Sequence, residues 1–357
     1  MLHIFSNQTC LKTAWGGFCC FLLVATLSVA SCGDPNQQQT TGKNTIQVCV
    51  SSTDAKAIAQ AIGGDAVSIT GFVRGVEDPH MVEPTRSMIQ ALNTAELLIV
   101  VGLGLEQAWL PPMLDGAKND QITIGTKGYL DLSDGLRTLI GKESQGVPNS
   151  YHPEDNPHYL LDPVEAIRAA SLIRDRLIEL RPDSADAFNA RYNEFSKQVA
   201  TELLGPVVAN ELPDTSYQSL SEICIQIEHG ELPAGLGGQL LAMQPYAGKP
   251  VIGDHDLWPY FARRYGVHVL GYLEPEPGLP PTVPHLTKLM AKMKQHNCNV
   301  LLSVAYFDLK QADFLVKQAD ANLVRMANLP GSLDNTETHL DWMRYNANAL
   351  LNTFKGE

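Results

Sequence analysis

Short apolar runs alternate with stretches in which apolar residues recur at helical spacing, and this alternation occurs twice along the chain. The first series of runs lies at 45–51, 66–72, 96–102 and 121–126. Runs this short and this apolar predict strands buried on both faces. Between them, 55–62, 86–93 and 105–114 carry the spacing of helices. Strand, helix, strand, helix implies parallel βαβ units and a sheet covered on both sides. The second series predicts strands at 250–253, 268–273, 299–304 and 322–327, with helices at 257–265, 284–295 and 309–318 and a last helix at 338–354.

The segment between the two series is helical. Asp162-Pro163-Val164-Glu165 has the form of a helix start: Asp as N-cap, Pro in the first turn and Glu at N3, closing a capping box. That helix runs to about Leu180. Arg181-Pro182-Asp183 breaks it, and a second begins near Ser184, with Ala187, Tyr192, Phe195, Val199 and Leu203 at roughly helical spacing. A helix of about 20 residues is about 30 Å long, enough to bridge two lobes. The expected fold is α/β: two lobes, each with a four-stranded parallel sheet flanked by helices. The first lobe is expected at 45–182, a linking helix at 183–209 and the second lobe at 210–357.

The N-terminus reads differently. Lys12 is the one positive side chain ahead of an apolar run at 17–30, which is too short to span a bilayer and suits a secretory signal. The run ends in Val29-Ala30-Ser31-Cys32-Gly33, which resembles a bacterial lipobox. Residues 1–31 are then a signal peptide, cut before Cys32, and Cys32 carries the lipid. An ordinary secretory signal that happens to contain a Cys is the other reading. Residues 33–44 are polar and aperiodic, as in a flexible tether. The expected location is extracytoplasmic, on a bacterial membrane. No later segment is long and apolar enough to cross a membrane.

Composition narrows the function. A chain of 357 residues suits two domains, and 44% hydrophobic with 18% charged residues suits a folded body. A formal net charge of −13 argues against a nucleic-acid partner, which needs clustered Lys and Arg. Of seven cysteines, Cys10, Cys19 and Cys20 leave with the signal, and Cys49, Cys224 and Cys298 remain beside Cys32. Three allow at most one disulfide, and the lack of a CxxC spacing argues against a thiolate zinc site.

Ten histidines are present. His285 and His296 flank a helix whose core face is Leu286, Leu289, Met290 and Met293, which leaves both solvated. His268 opens a strand and His339 sits early in the last helix; both read as structural. His152 and His229 fall in polar loops, and His3 is in the signal. Three others share a context: His80 in Asp78-Pro79-His80, His158 in Asn156-Pro157-His158, and His255 just after the run 250–253. Two of these sit beyond carboxyl ends of strands, where open α/β sheets bind ligands. The prolines before His80 and His158 restrict the backbone and help fix those two imidazoles. Spacing alone marks no local metal site.

The surrounding residues carry a resemblance. Asp78-Pro79-His80-Met81-Val82-Glu83-Pro84-Thr85 with the run 95–106, Asn156 to Pro163, Gly253 to Gly266, and Leu273 to Pro281 resemble, in order, the signatures of the periplasmic metal-binding proteins of zinc and manganese ABC transporters. The resemblance spans about 45–352. It implies two four-stranded lobes joined by a single long, rigid helix, with a metal held in the cleft by His80, His158 and His255. It also implies delivery to an ABC permease with its ATPase, by a lipid-anchored monomer.

The sequence departs from the family pattern at the acidic fourth ligand. The last strand's edge reads Arg325-Met326-Ala327-Asn328-Leu329, and the preceding strand ends in Ser303-Val304-Ala305-Tyr306, with no carboxylate in either run. Asp308, Glu274 and Asp334 lie nearby in sequence without an assigned place. A His-rich loop between the first two ligands is also missing. Imidazoles without a carboxylate favour zinc over manganese. A hydrolase or hydratase with three histidines and a metal-bound water is the alternative, with no general base evident beside it. Asp78, Asp254 and Asp256 are candidates to orient the imidazole rings.

Overall fold

The structure, a computed structural model, describes residues 45–137, 139, 156–275, 279–307 and 309–356. The signal segment, Cys32, the tether, His152 and Asp308 lie outside the described residues. Eight strands form two sheets. The first joins β1 (Ile46–Val50), β2 (Val67–Gly71), β3 (Leu97–Val100) and β4 (Tyr129–Asp131) in the order β2-β1-β3-β4. The second joins β5 (Pro250–Gly253), β6 (His268–Tyr272), β7 (Val300–Ser303) and β8 (Asn322–Arg325) in the order β6-β5-β7-β8. Every pairing is parallel. Both sheets therefore have the same winding, and each reverses direction between its two central strands.

Helices α1 (Thr53–Gly63), α2 (Arg86–Thr94) and α3 (Leu110–Ala117) belong to the first sheet. The middle of the chain forms α4 (Pro163–Leu180), α5 (Ala185–Leu204), α6 (Pro206–Glu211), α7 (Tyr217–Glu228) and α8 (Gly238–Met243). The second sheet has α9 (Pro259–Tyr265), α10 (Val283–Gln295) and α11 (Leu309–Ala319), and α12 (His339–Lys355) closes the chain. The long α5 packs on α1 and α4 on one side and on α6, α8 and α12 on the other. It joins the two lobes, as the helical pattern predicts.

Strand alternation divides the interior. Val48, Val50, Leu97 and Ile99 face a core that continues through α4 and α5 to Val251, Val300, Leu302 and Val324 of the second sheet. Cys49, Leu98 and Val100 face the opposite way, toward Leu92 of α2 and Met113 of α3. Ile252 and Leu301 face Leu286, Leu289 and Leu315 of α10 and α11. The inner faces of the two sheets thus share one continuous core, while each outer face has its own.

Three expectations change. The run 121–126 is not a strand: 120–122 is a 3-10 turn, and β4 forms later, pairing Tyr129 with Leu98. The Thr126 hydroxyl donates to the Gln121 and Thr123 carbonyls, and a Cβ on Gly128 would lie 2.2 Å from the Gln121 carbonyl oxygen. This turn chemistry overrides an apolar alternation that looks strand-like. The helix expected from 105 starts at Leu110, because 102–109 is a series of turns with Gly102, Leu103 and Gly104 at positive φ. Pro111 and Pro112 then occupy the first helical turn, where a missing N–H costs little. Asp162 caps α4 by accepting from the Val164 N–H at 2.9 Å, but Glu165 closes no box: its carboxylate takes Arg168 at 2.7 Å and the Tyr217 hydroxyl at 3.1 Å. Cys49, Cys224 and Cys298 are free thiols, each buried in a different cluster.

Candidate metal centre

His80 and His158 are presented by the same local device. In Asp78-Pro79-His80 the Asp78 carboxylate accepts the His80 N–H at 2.9 Å; in Asn156-Pro157-His158 the Asn156 amide oxygen accepts the His158 N–H at 2.9 Å. An Asx side chain closing on the backbone two residues later, over a proline of fixed φ, makes a stiff turn. The first turn is anchored by the buried Trp109 indole, which donates to the Pro79 carbonyl at 3.0 Å. The second precedes the 3-10 turn His158–Leu161, from which the Tyr159 hydroxyl donates to the Val101 carbonyl at 2.7 Å.

His255 follows β5 directly. Its N–H donates to Asp254 at 2.8 Å, and the second Asp254 oxygen takes the Val304 N–H at 2.6 Å. Gly253 makes the tight turn possible, since a Cβ there would lie 2.5 Å from the Trp258 ring. Asn156 also ties the loops together: its amide nitrogen donates to the Asp256 carbonyl at 2.8 Å, across 100 residues of sequence. Of the three aspartates expected to orient the rings, Asp78 and Asp254 fix backbone.

The three predicted histidines are brought together. One nitrogen of each lies within 4.8 Å of the other two. Ring centroids are 5.3 Å apart for His80 and His158, and 6.0 Å apart for each of these with His255. The Nε2 atoms of His80 and His158 are 3.3 Å apart. A tetrahedral ion with Zn–N bonds of about 2.05 Å places its nitrogens about 3.3 Å from each other. Among the described residues, this is the one cluster of three or more His, Cys, Asp or Glu with metal-holding geometry.

His255 has its own orienting carboxylate. Its Nδ1 is 2.8 Å from Glu274 Oε2, and the buried Nε2 has no hydrogen-bond partner among the described residues and is available to an ion. Burial pulls the His255 pKa down, but the hydrogen bond and charge of Glu274, with Asp254 and Asp78, outweigh it and raise the pKa above its ordinary value. His80 goes the other way: burial and the neighbouring His255 charge push it down to about 4. Burial raises Asp254 to about 6, against the hydrogen bonds from Val304 and His255 that favour its charge.

A family model described as zinc-uptake complex component A, periplasmic, matches residues 48–202 and 238–353. The chain belongs to this family. The manganese-binding lipoprotein MntA of Halalkalibacterium halodurans is 22% identical to it over 335 residues, covering 92% of this chain and 95% of the relative. The high-affinity zinc uptake system protein ZnuA of Yersinia pestis is 25% identical over 252 residues, covering 67% and 69%. A crystal structure of ZnuA superposes with a TM-score of 0.62 at 23% identity, over 87% of this chain and 98% of that one, and so shares the fold. Zinc-uptake component A proteins are substrate-binding components of transporters, so the hydrolase reading falls.

In this member of the family the other described histidines stand apart from the cluster. His229, His268 and His296 are exposed and His339 is buried at the start of α12. His285, expected in solvent, has its Nε2 2.9 Å from the Tyr272 carbonyl oxygen. Sequence reasoning left Glu274 unplaced. The signal was its register: Gly253 of β5 pairs with Tyr272 of β6, so His255 and Glu274 each lie two residues past the same rung. At the β8 edge Asn328 stands where a carboxylate was expected, buried, with neither side-chain amide atom partnered among the described residues. Asp334 is exposed. No described helix is long and apolar enough to cross a membrane.

Proposed function

We propose that the chain is the extracytoplasmic solute-binding component of an ABC importer. It captures one divalent transition ion, zinc in preference to manganese, on His80, His158 and His255, and passes it to a membrane permease driven by a cytosolic ATPase. It works as a monomer held at the membrane through lipidated Cys32. The observation that carries the reading is the three-imidazole cluster: two Nε2 atoms 3.3 Å apart and a third, buried nitrogen on His255 with no partner among the described residues. Neutral imidazoles suit zinc, and manganese prefers carboxylates, none of which belongs to the cluster. The relatives named for manganese and for zinc support metal capture in general, and the donor set supports zinc.

Titration of the metal-free protein against a competing chelator tests this. One zinc should bind per chain, with His255→Ala, His80→Ala and His158→Ala each losing it, and zinc should be retained against excess manganese. Wild-type stoichiometry and affinity in all three variants would overturn the assignment.

A further inference from the structure

The second sheet reverses its winding between β5 and β7, the position at which an open α/β sheet binds its ligand beyond the strands' carboxyl ends. His255 leaves one side of that switch point and Tyr306 the other: the first lies two residues past β5, the second three past β7. The two loops are joined by Asp254, which accepts the His255 and Val304 N–H groups together. The Tyr306 hydroxyl is buried and meets no hydrogen-bond partner among the described residues. Nor does His255 Nε2. Both are buried polar atoms that the described residues leave unpaired, and such groups are costly and rare.

A tetrahedral ion on three imidazoles has a fourth position to fill. We propose, resting on the metal-capture reading, that a water fills it and that the Tyr306 hydroxyl holds that water by a hydrogen bond. Tyr306 is thus a positioning residue for the ion's fourth ligand, standing in for the carboxylate absent from the edge of the second sheet. The charges of Asp78, Asp254 and Glu274 act on both Tyr306 and His255. With burial, these carboxylates keep the Tyr306 phenol protonated by raising its pKa well above the ordinary value. The neutral hydroxyl can then donate to the water oxygen or accept from its proton without adding charge. Such a site completes its coordination with neutral donors, which favours zinc and leaves manganese without the oxygen anion it prefers.

The test compares wild type with Tyr306→Phe, using zinc for affinity and cobalt(II) as a spectroscopic stand-in. Loss of the hydroxyl should weaken zinc binding about tenfold, the low end for losing a group that supports a metal ligand. The stoichiometry should stay at one, the cobalt d–d absorption should change in position or intensity, and the metal-free melting temperature should not move. Unchanged affinity and spectrum overturn the proposal. So does weaker binding with an unchanged spectrum and a lower metal-free melting temperature, which would make Tyr306 a packing residue. Zinc binding that survives in His255→Ala would instead overturn the underlying site, and the two failures are told apart by that variant.

Discussion

Glu274 sets the protonation and aim of His255, and its effect on metal capture has a definite sign. An imidazole must be neutral to ligate an ion, so protons compete with the metal below the pKa of each ligand. His80, pushed down to about 4, offers no competition at neutral or mildly acidic pH. His255, raised above the ordinary 6.5 with Glu274 beside it, competes first. Zinc affinity should therefore begin to fall at a pH above about 6.5. Glu274→Gln should lower affinity at pH 7 by about 10- to 100-fold, through the lost ring orientation, and should move the onset of the acid loss to lower pH. Chelator competition from pH 8 to 5.5 on both proteins checks this, and an identical onset in the two would refute it. The histidines themselves were legible in the sequence because each sits in a local Asx-Pro-His or strand-end context. Glu274 and Tyr306 were not, since their roles depend on which strands pair.

At the level of elements, the cap of α4 does two jobs. Asp162 accepts from the Val164 N–H and also forms a two-pronged ion pair with Arg264 of α9, at 2.8 and 2.9 Å, with both side chains buried. The pair joins the helix that follows His158 to the helix that follows His255, and so fixes one ligand loop against the other. Removing Asp162 leaves the buried Arg264 with Glu228, at 3.2 Å, as its remaining ion-pair partner among the described residues, so Asp162→Ala should cost about 3 kcal/mol in urea unfolding, the low end for breaking a buried pair. The double variant Asp162→Leu with Arg264→Met should recover most of that loss; equal instability of single and double variants would argue against a charge penalty. Element existence followed from periodicity for most strands and helices of the two sheets, but α7 and α8 had no counterpart in that pattern. It failed at 121–126, where the decisive facts were glycine and threonine turn contacts, and at the front of α3, where glycines impose turns on residues whose apolar spacing resembles a helix. The capping-box expectation failed because Arg168 and Tyr217, distant from Asp162 in sequence or pattern, draw Glu165 inward.

Across the whole molecule, the shared core is the governing feature. Side chains from the inner faces of both sheets pack into one hydrophobic cluster through α4 and α5, and Thr53 of α1 donates to the Pro330 carbonyl on the loop before α12. Hinge closure would have to tear this packing, whereas reordering of the His80 and His255 loops would not. Small-angle scattering should give superimposable profiles for the metal-free and zinc-bound protein, and a clear contraction on binding would contradict a rigid body. The two-lobed α/β pattern was evident in the sequence; the continuity of the core was not, because periodicity shows which face of a strand is apolar but not what covers it.

The wide spacing of His80, His158 and His255 along the chain, gathered by one core, gives metal capture a particular timing. In the proposed site a chain made in N-to-C order holds two of the three imidazoles long before the third, and has no second sheet to aim it. An ion that needs all three would bind only once both sheets have formed, and its binding energy would add to the stability of the entire chain rather than to either half.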